Sequence, residues 1–404
     1  MSWKYVTLDK LGSISRGKSK HRPRNDKTLF GGKYPFVQTA DVKAAELYLT
    51  EYTDTYNEKG LAQSKLWPAG TLCITIAANI ADTSILGIDA CFPDSIIGFI
   101  PYEGVSNVKF VKYAFDILQR DCKNISQGAA QDNLSWRKLS TIKFPVPEIE
   151  IQNKIVSILS AYDDLIENNR RQIKLLEEAA RRLYKEWFVD LKFPGHESTP
   201  IVNGLPEGWA FVPFFEHVDI TRGRSYKGDE ILAGNQILLN LGNMASFGGW
   251  RYGKEKPYSG EFKEGQLAYR GDLVMAVTEQ SKERRLVGHV ALVPEYDRKT
   301  IFSMDLIKLL PKEMEKLFLY GQLRFSGLSR EISFLANGTN ILHLRPDSLK
   351  SIRLLNPTPD VQKKFSDFLE LLVARRWELE KQIFAAQEAR DRLLPKLMSG
   401  EIEV

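Results

Sequence analysis

The sequence predicts an α+β fold built twice over: two duplicated α+β domains separated by two long helices that form an antiparallel coiled coil. Three observations predict it. Residues 128–188 align without a gap on residues 338–398, with 14 identities in 61 positions where unrelated composition gives roughly 4. Each copy of that repeat carries a long amphipathic segment with apolar residues at alternating spacings of three and four. Ahead of each segment lies a stretch of short β-branched runs broken by Gly, Asn and Pro, the pattern of strands and turns with few helices.

The repeat sets the frame. Trp3–Val6 and Ser15–Ser19 answer Trp209–Val212 and Thr221–Ser225 at an offset of 206, and Gly70–Ile74 answers Gly271–Met275 at 201. The change of offset means insertions and deletions inside a shared frame. The chain therefore divides into a first domain at 1–147, a helix within 148–198, a second domain at 199–357 and a helix within 358–404. Runs such as Thr71–Ile76 and Asp272–Val277 read as strands, and 106–120 as a short helix.

In the first long helix the seam runs through Ile151, Ile155, Ile158, Tyr162, Leu165, Ile173, Leu176, Ala179, Leu183 and Trp187. In the second it runs through Val361, Phe365, Phe368, Leu372, Leu379, Ile383, Ala386, Leu393 and Leu397. Pro194-Gly195 stops the first, and Pro395 is expected to stop or kink the second. Each helix has one apolar stripe, and the two stripes either cover each other or pack on their own domains. Asn169, Gln172 and Gln382 near the middle are register-setting polar layers or lie just off the seam in water.

Composition narrows the function. The 404 residues are 43% hydrophobic and 26% charged, as in ordinary folded proteins of two or three domains. No run approaches the 18 apolar residues of a membrane span, and the first residues lack a signal-peptide pattern, so a cytoplasmic location is expected, with no membrane partner. Cys73, Cys91 and Cys122 are odd in number and widely spaced, unlike a disulfide framework or a zinc site. The net charge of +5 is uneven: the helical segments sum to −3 and the domains to +8, so the positive excess lies in the domains.

Motifs for chemistry are missing. The five histidines form no metal-ligand spacing; there is no phosphate-binding lysine loop, no nucleophile elbow and no dinucleotide or methyl-transfer fingerprint. Asp41-Val42-Lys43 and Glu261-Phe262-Lys263 have the acid-x-Lys form of a nuclease without its upstream Pro-Asp. No catalytic residue, metal or cofactor is expected in this chain.

What stands out is basic. Arg16, Lys18, Lys20, Arg22, Arg24 and Lys27 fall within twelve positions opposed only by Asp26. The second copy has Arg222, Arg224 and Lys227, then Lys282, Arg284 and Arg285 after a predicted strand. Such loops suit DNA phosphates or are simply solvated; a lone cluster is more often solvated, and recurrence at equivalent places in a duplicated domain brings the two readings level. The amides Gln127, Gln131 and Asn133, answered by Asn337 and Asn340, could read adenine edges or cap turns.

These residues bring a resemblance into view. Pro145–Ile155 entering the first long helix, Leu183–Asp190 leaving it and Leu393–Ile402 at the end are similar to the DNA specificity subunits of Type I restriction-modification systems. Tyr34–Val42 resembles the family's first-domain strand segment, with Leu238–Met244 as a more divergent counterpart. The resemblance covers essentially the whole chain. It implies two target-recognition domains, each reading half of a bipartite double-stranded DNA target, held apart by the coiled coil. It also implies two methyltransferase subunits, which bring S-adenosylmethionine and adenine methylation, and restriction/translocase subunits, which bring ATP, Mg and cleavage. The alternatives are an enzyme in its own right, or a coiled-coil DNA-binding scaffold or regulator without methyltransferase partners.

Overall fold

A computed structural model of the chain describes residues 3–45, 47–76, 82–125 and 139–404, with side chains described outside 120–125. Its residues gather into two compact units, Met1–Ile166 with Ala385–Val404, and Glu167–Phe384. The four longest helices among the described residues are α1 (Val108–Ile125), α2 (Ile149–Phe188), α3 (Lys316–Phe325) and α4 (Pro359–Ser399). The boundaries between units fall inside α2 and α4, so each unit holds one α+β domain and a portion of both long helices.

In the first unit a five-stranded sheet is ordered Gly12–Arg16, Ile96–Pro101, Leu72–Thr75, Thr83–Leu86, Tyr48–Leu49. Leu72–Thr75 is buried along its whole length, as expected of a central strand covered on both faces. A second sheet is ordered Asp54–Tyr56, Phe30–Phe36, Ala90–Cys91, Leu66–Trp67. The second unit repeats the plan. Val218–Arg222, Leu306–Pro311, Leu273–Ala276 and Val290–Leu292 form one sheet, and Lys256–Tyr258, Gln236–Leu239 and Thr300–Phe302 form the other. In both units a two-stranded ribbon ties the start of the domain to the segment entering the long helix: Lys4–Thr7 with Lys143–Val146, and Ala210–Pro213 with Arg353–Asn356.

The long helices pair antiparallel in each unit. In the first, Ile155, Val156 and Leu159 of α2 share a core with Leu394, Leu397 and Met398 of α4 and with Phe110, Val111 and Phe115 of α1. Arg390 donates to Asp163 at 2.7 Å, and Tyr113 donates to the other carboxylate oxygen at 2.5 Å. In the second, Phe188 of α2 meets Phe365 of α4 and Phe318 of α3 edge-on, with ring centroids 5.0 Å apart in both cases. Glu177 receives Arg376 at 2.8 Å and Arg324 at 3.1 Å. The stripes thus cover each other and their own domain at once, because a third helix closes each trio.

That third helix shifts the seam. Ile158, Leu165 and Phe368, assigned to it by spacing, are 37%, 43% and 47% exposed, while Leu159, Ile166 and Leu369 one position along are buried. Asn169 is buried and donates to Gln382 at 2.9 Å, a polar layer, whereas Gln172 meets Arg375 at the rim. Pro395 does not stop α4, which continues to Ser399. Proline's missing N–H costs a helix about 3 kcal/mol, and burial of Leu394, Leu397 and Met398 around an exposed Pro395 offsets it. α2 ends at Phe188, before Pro194-Gly195: Lys185 grips Asp190 at 2.6 Å and Leu191 turns left-handed at φ 58°. Cys73 and Cys91 are buried and unpaired, and burial pushes both thiols up.

One pair of repeat identities is structural. Gln152 is fully buried; it accepts the Asn107 N–H ahead of α1 at 3.0 Å and donates to the carbonyls of Val105 at 3.1 Å and Pro147 at 3.0 Å. Gln362 accepts the Glu315 N–H ahead of α3 at 3.0 Å and donates to Asn356 Oδ1 and the Pro357 carbonyl, each at 2.8 Å. Replacing Gln362 by Ala strands these buried groups and is expected to cost about 2–4 kcal/mol. Urea unfolding followed by hydrogen exchange should show loss of protection in α3 and the start of α4, with the first domain's sheets unchanged.

Candidate nucleic-acid interface

The basic loops emerge from the same corner of each domain. Gly12–Arg16 ends at Arg16, and the chain then runs antiparallel to Ile96–Pro101, with Gly17 N–H on the Ile96 carbonyl at 2.8 Å and Lys18 N–H on that of Phe92 at 3.0 Å. Val218–Arg222 ends at Arg222 in the same way, with Gly223 N–H on Leu306 at 3.2 Å and Arg224 N–H on Phe302 at 2.8 Å. A Cβ on Gly17 would collide with the Phe92 and Pro93 carbonyls, and one on Gly223 with that of Ser303. Glycine lets the loop backbone lie against its neighbour, and the flanking cations are thrown outward.

Not every predicted cation is available. Arg16, Lys18, Lys20, Arg222, Lys227 and Lys282 are exposed and, among the described residues, have no carboxylate within ion-pairing distance. Arg22 donates to the carbonyls of Ser19 at 2.7 Å and His21 at 2.8 Å, and Arg24 pairs with Asp94 at 2.6 Å. Arg224 donates to Tyr258 Oη at 3.3 Å, and Arg285 pairs with Glu283 at 2.7 Å. Arg284 is the most committed: its guanidinium donates to the carbonyls of Ser333 and Ala336 and lies over the Phe334 ring, 5.3 Å from its centroid. Such partners fix loop shape and leave less charge for phosphates. Asn340 is exposed, Asn337 donates to the Leu335 carbonyl at 3.1 Å, and Gln127, Gln131 and Asn133 lie outside the described residues.

Two features escaped the sequence. Glu279, only 2% exposed, anchors the Lys282–Arg285 loop by accepting from Ser281 Oγ at 2.5 Å and from the N–H groups of Arg285, Leu286 and Val287 at 2.9–3.2 Å. Burial works to raise its pKa, but these donors outweigh burial and hold it below the usual glutamate value. The first domain also has an open cavity of about 690 Å³ beside the Lys18–Lys27 loop, bounded by Arg24, Lys27, Phe30, Gln38, Asp54 and Ser95. Its walls join residues 19–39 to Asp54 and to Pro93 and Ser95, which is why no single local motif marks it. Among the described residues, no three His, Cys, Asp or Glu side chains gather as a metal site, and no helix is long and apolar enough to cross a membrane.

Two α+β domains of one plan, each with a glycine-pinned basic loop, define a duplicated two-domain protein. A family model described as Type I restriction modification DNA specificity domain matches residues 1–178 and 258–386. The chain belongs to that family and is a Type I specificity subunit. It is 25% identical to the Type I restriction enzyme MjaIX specificity subunit of Methanocaldococcus jannaschii, over 100% of this chain and 94% of that one. Identity is 22% to the HindI specificity subunit of Haemophilus influenzae, over 99% of each. The fold is similar to that of the crystallised S subunit from M. genitalium, with a TM-score of 0.57 and 15% identity over 98% of this chain and 96% of that one.

Replacing Lys18, Lys20 or Arg222 by Ala is expected to lower the slope of log K against log salt by about one and to weaken binding to all duplexes alike. Arg284→Ala should instead loosen the Ser333–Ala336 segment in hydrogen exchange; a unit change of salt slope for it alone would reverse this assignment. Because the Glu279 pKa is depressed in the fold, its contribution to loop stability is complete above the ordinary value of 4.5 and is lost as pH falls through the lower folded value. Exchange protection at Arg285–Val287 should follow that course, and Glu279→Gln should weaken it at neutral pH.

Proposed function

We propose that this chain is the DNA-reading component of a Type I restriction-modification complex. Each domain recognises one half of a bipartite double-stranded target. The chain performs no chemistry; two methyltransferase subunits methylate adenine using S-adenosylmethionine, and restriction/translocase subunits cleave using ATP and Mg. The observation that carries the reading is the recurrence, in one register, of an Arg-Gly-basic-Ser loop in two domains whose surrounding loops differ. A constant frame positions phosphates, and variable loops choose bases. Membership of the specificity-subunit family supports the assignment of partners.

Methylome sequencing of cells carrying the whole system, with and without this gene, tests it. A two-part methylated motif should be present only with the gene. Exchanging residues 199–357 for the matching domain of a relative should change one half of the motif and preserve the other. A motif that changes in both halves, or methylation that persists without the gene, would overturn the reading. The purified chain alone should neither methylate nor cleave DNA.

A further inference from the structure

The two domains carry opposite hydrogen-bonding groups at one equivalent position. In the first, Asp54–Tyr56 lies antiparallel to Phe30–Phe36, with Asp54 opposite Phe36 and Tyr56 opposite Tyr34, and Phe36 adjoins Cys91 on a parallel strand. In the second, Lys256–Tyr258 lies antiparallel to Gln236–Leu239, with Lys256 opposite Leu238 and Tyr258 opposite Gln236, and Leu238 adjoins Ile301 on a parallel strand. The following residues confirm the match. Phe92, after Cys91, accepts from Lys18 N–H, and Phe302, after Ile301, accepts from Arg224 N–H. Tyr56 and Tyr258 are both fully buried. Asp54 and Lys256 therefore occupy the same site in the frame, two residues before a buried tyrosine.

Both side chains turn toward the basic loop of their own domain. Asp54 borders the cavity of about 690 Å³ that Ser19 and Arg24 also line. It is half-buried, and one of its oxygens accepts from Gln38 Nε2 at 2.7 Å. Lys256, also half-buried, donates to Tyr226 Oη at 3.3 Å and lies 5.3 Å from the ring centroid; Tyr226 follows the Arg222–Ser225 loop directly. A carboxylate only accepts hydrogen bonds and an ammonium only donates them. In the major groove the donors on base edges are the amino groups of cytosine and adenine, and guanine offers two adjacent acceptors. No internal carboxylate neutralises Lys256 among the described residues, so the charge is left for an external acceptor.

We propose that Asp54 and Lys256 are the equivalent base-reading side chains of the two domains. Asp54 accepts from the amino group of a cytosine or adenine in one half-site, and Lys256 donates to the O6 and N7 edge of a guanine in the other. The assignment rests on the bipartite reading above. It explains how a duplicated frame reads two unlike half-sites: one position, on one strand, reverses its hydrogen-bonding sense.

The test uses the complete complex with its partner subunits in cells, read by methylome sequencing. Persistence of the wild-type motif after deletion of this gene would end the bipartite reading itself, independently of any variant. Given a gene-dependent motif, Asp54→Asn should relax one position in one half, and Lys256→Gln one guanine in the other, each by about ten-fold or more in preference. The opposite half should stay as it was. An unchanged motif in an active variant, relaxation in both halves, or a second half-site with no G·C pair overturns the proposal. Should either variant abolish methylation, Asp54→Glu and Lys256→Arg keep the sign of the hydrogen bond and should restore the wild-type motif; failure of these to restore it would make the position structural and the proposal wrong.

Discussion

Two buried amides, Gln152 and Gln362, hold each domain to its long helix. Each ties the stretch that opens a domain helix, Val105–Asn107 or Glu315, to the proline-ended entry to α2 or α4, at Pro147 or Asn356-Pro357. An amide alone among side chains offers both an acceptor and two donors in one plane. A carboxylate would oppose the carbonyls, and an apolar residue would leave the N–H of Asn107 or Glu315 buried without a partner. With this node closed, the direction in which the helix leaves its domain is set. That direction decides which of two adjacent apolar stripes is covered.

Around the node the two copies solve one problem with different chemistry. In the first unit Asp163 collects Tyr113 and Arg390; in the second Glu177 collects Arg324 and Arg376, and Arg376 also reaches Glu380 at 2.7 Å. Both clusters join a domain helix to both long helices through one carboxylate, buried in Asp163 and 28% exposed in Glu177. Removing Arg390 would strand the buried Asp163 charge at a cost of about 3–5 kcal/mol, so a slip in register is penalised there. Asn169 and Gln382 add a neutral layer of the same kind.

The interface follows an opposite rule, in which the backbone is kept and the side chains vary. Gly17 and Gly223 press the loop against a neighbouring carbonyl, and strand pairing on both sides places the same backbone atoms in both domains. Residues on that frame change freely: Asp54 against Lys256, Gln38 against Asn240, Lys20 against Tyr226. A rigid support with variable ornaments suits recognition, because the position of a donor or acceptor is fixed by the scaffold and its sense by one codon.

The sequence by itself determined the duplication, the α+β character, the two long helices and the basic corners. All of these are patterns of period or composition that survive in one dimension: a constant offset, a three-four spacing, a cluster of charge around glycine. The tertiary structure alone decided which stripe is buried, since Ile158 and Leu159 are both apolar and only the placement of α1 distinguishes them. It also decided which arginines are spent on the fold, since Arg284 and Lys282 look alike until the carbonyls of Ser333 and Ala336 are brought beside one of them. Glu279 as an anchor, and Asp54 and Lys256 as counterparts, depend on strand register across segments far apart in the chain. Insertions between the repeats hide that register, and hydrogen-bonded strands restore it.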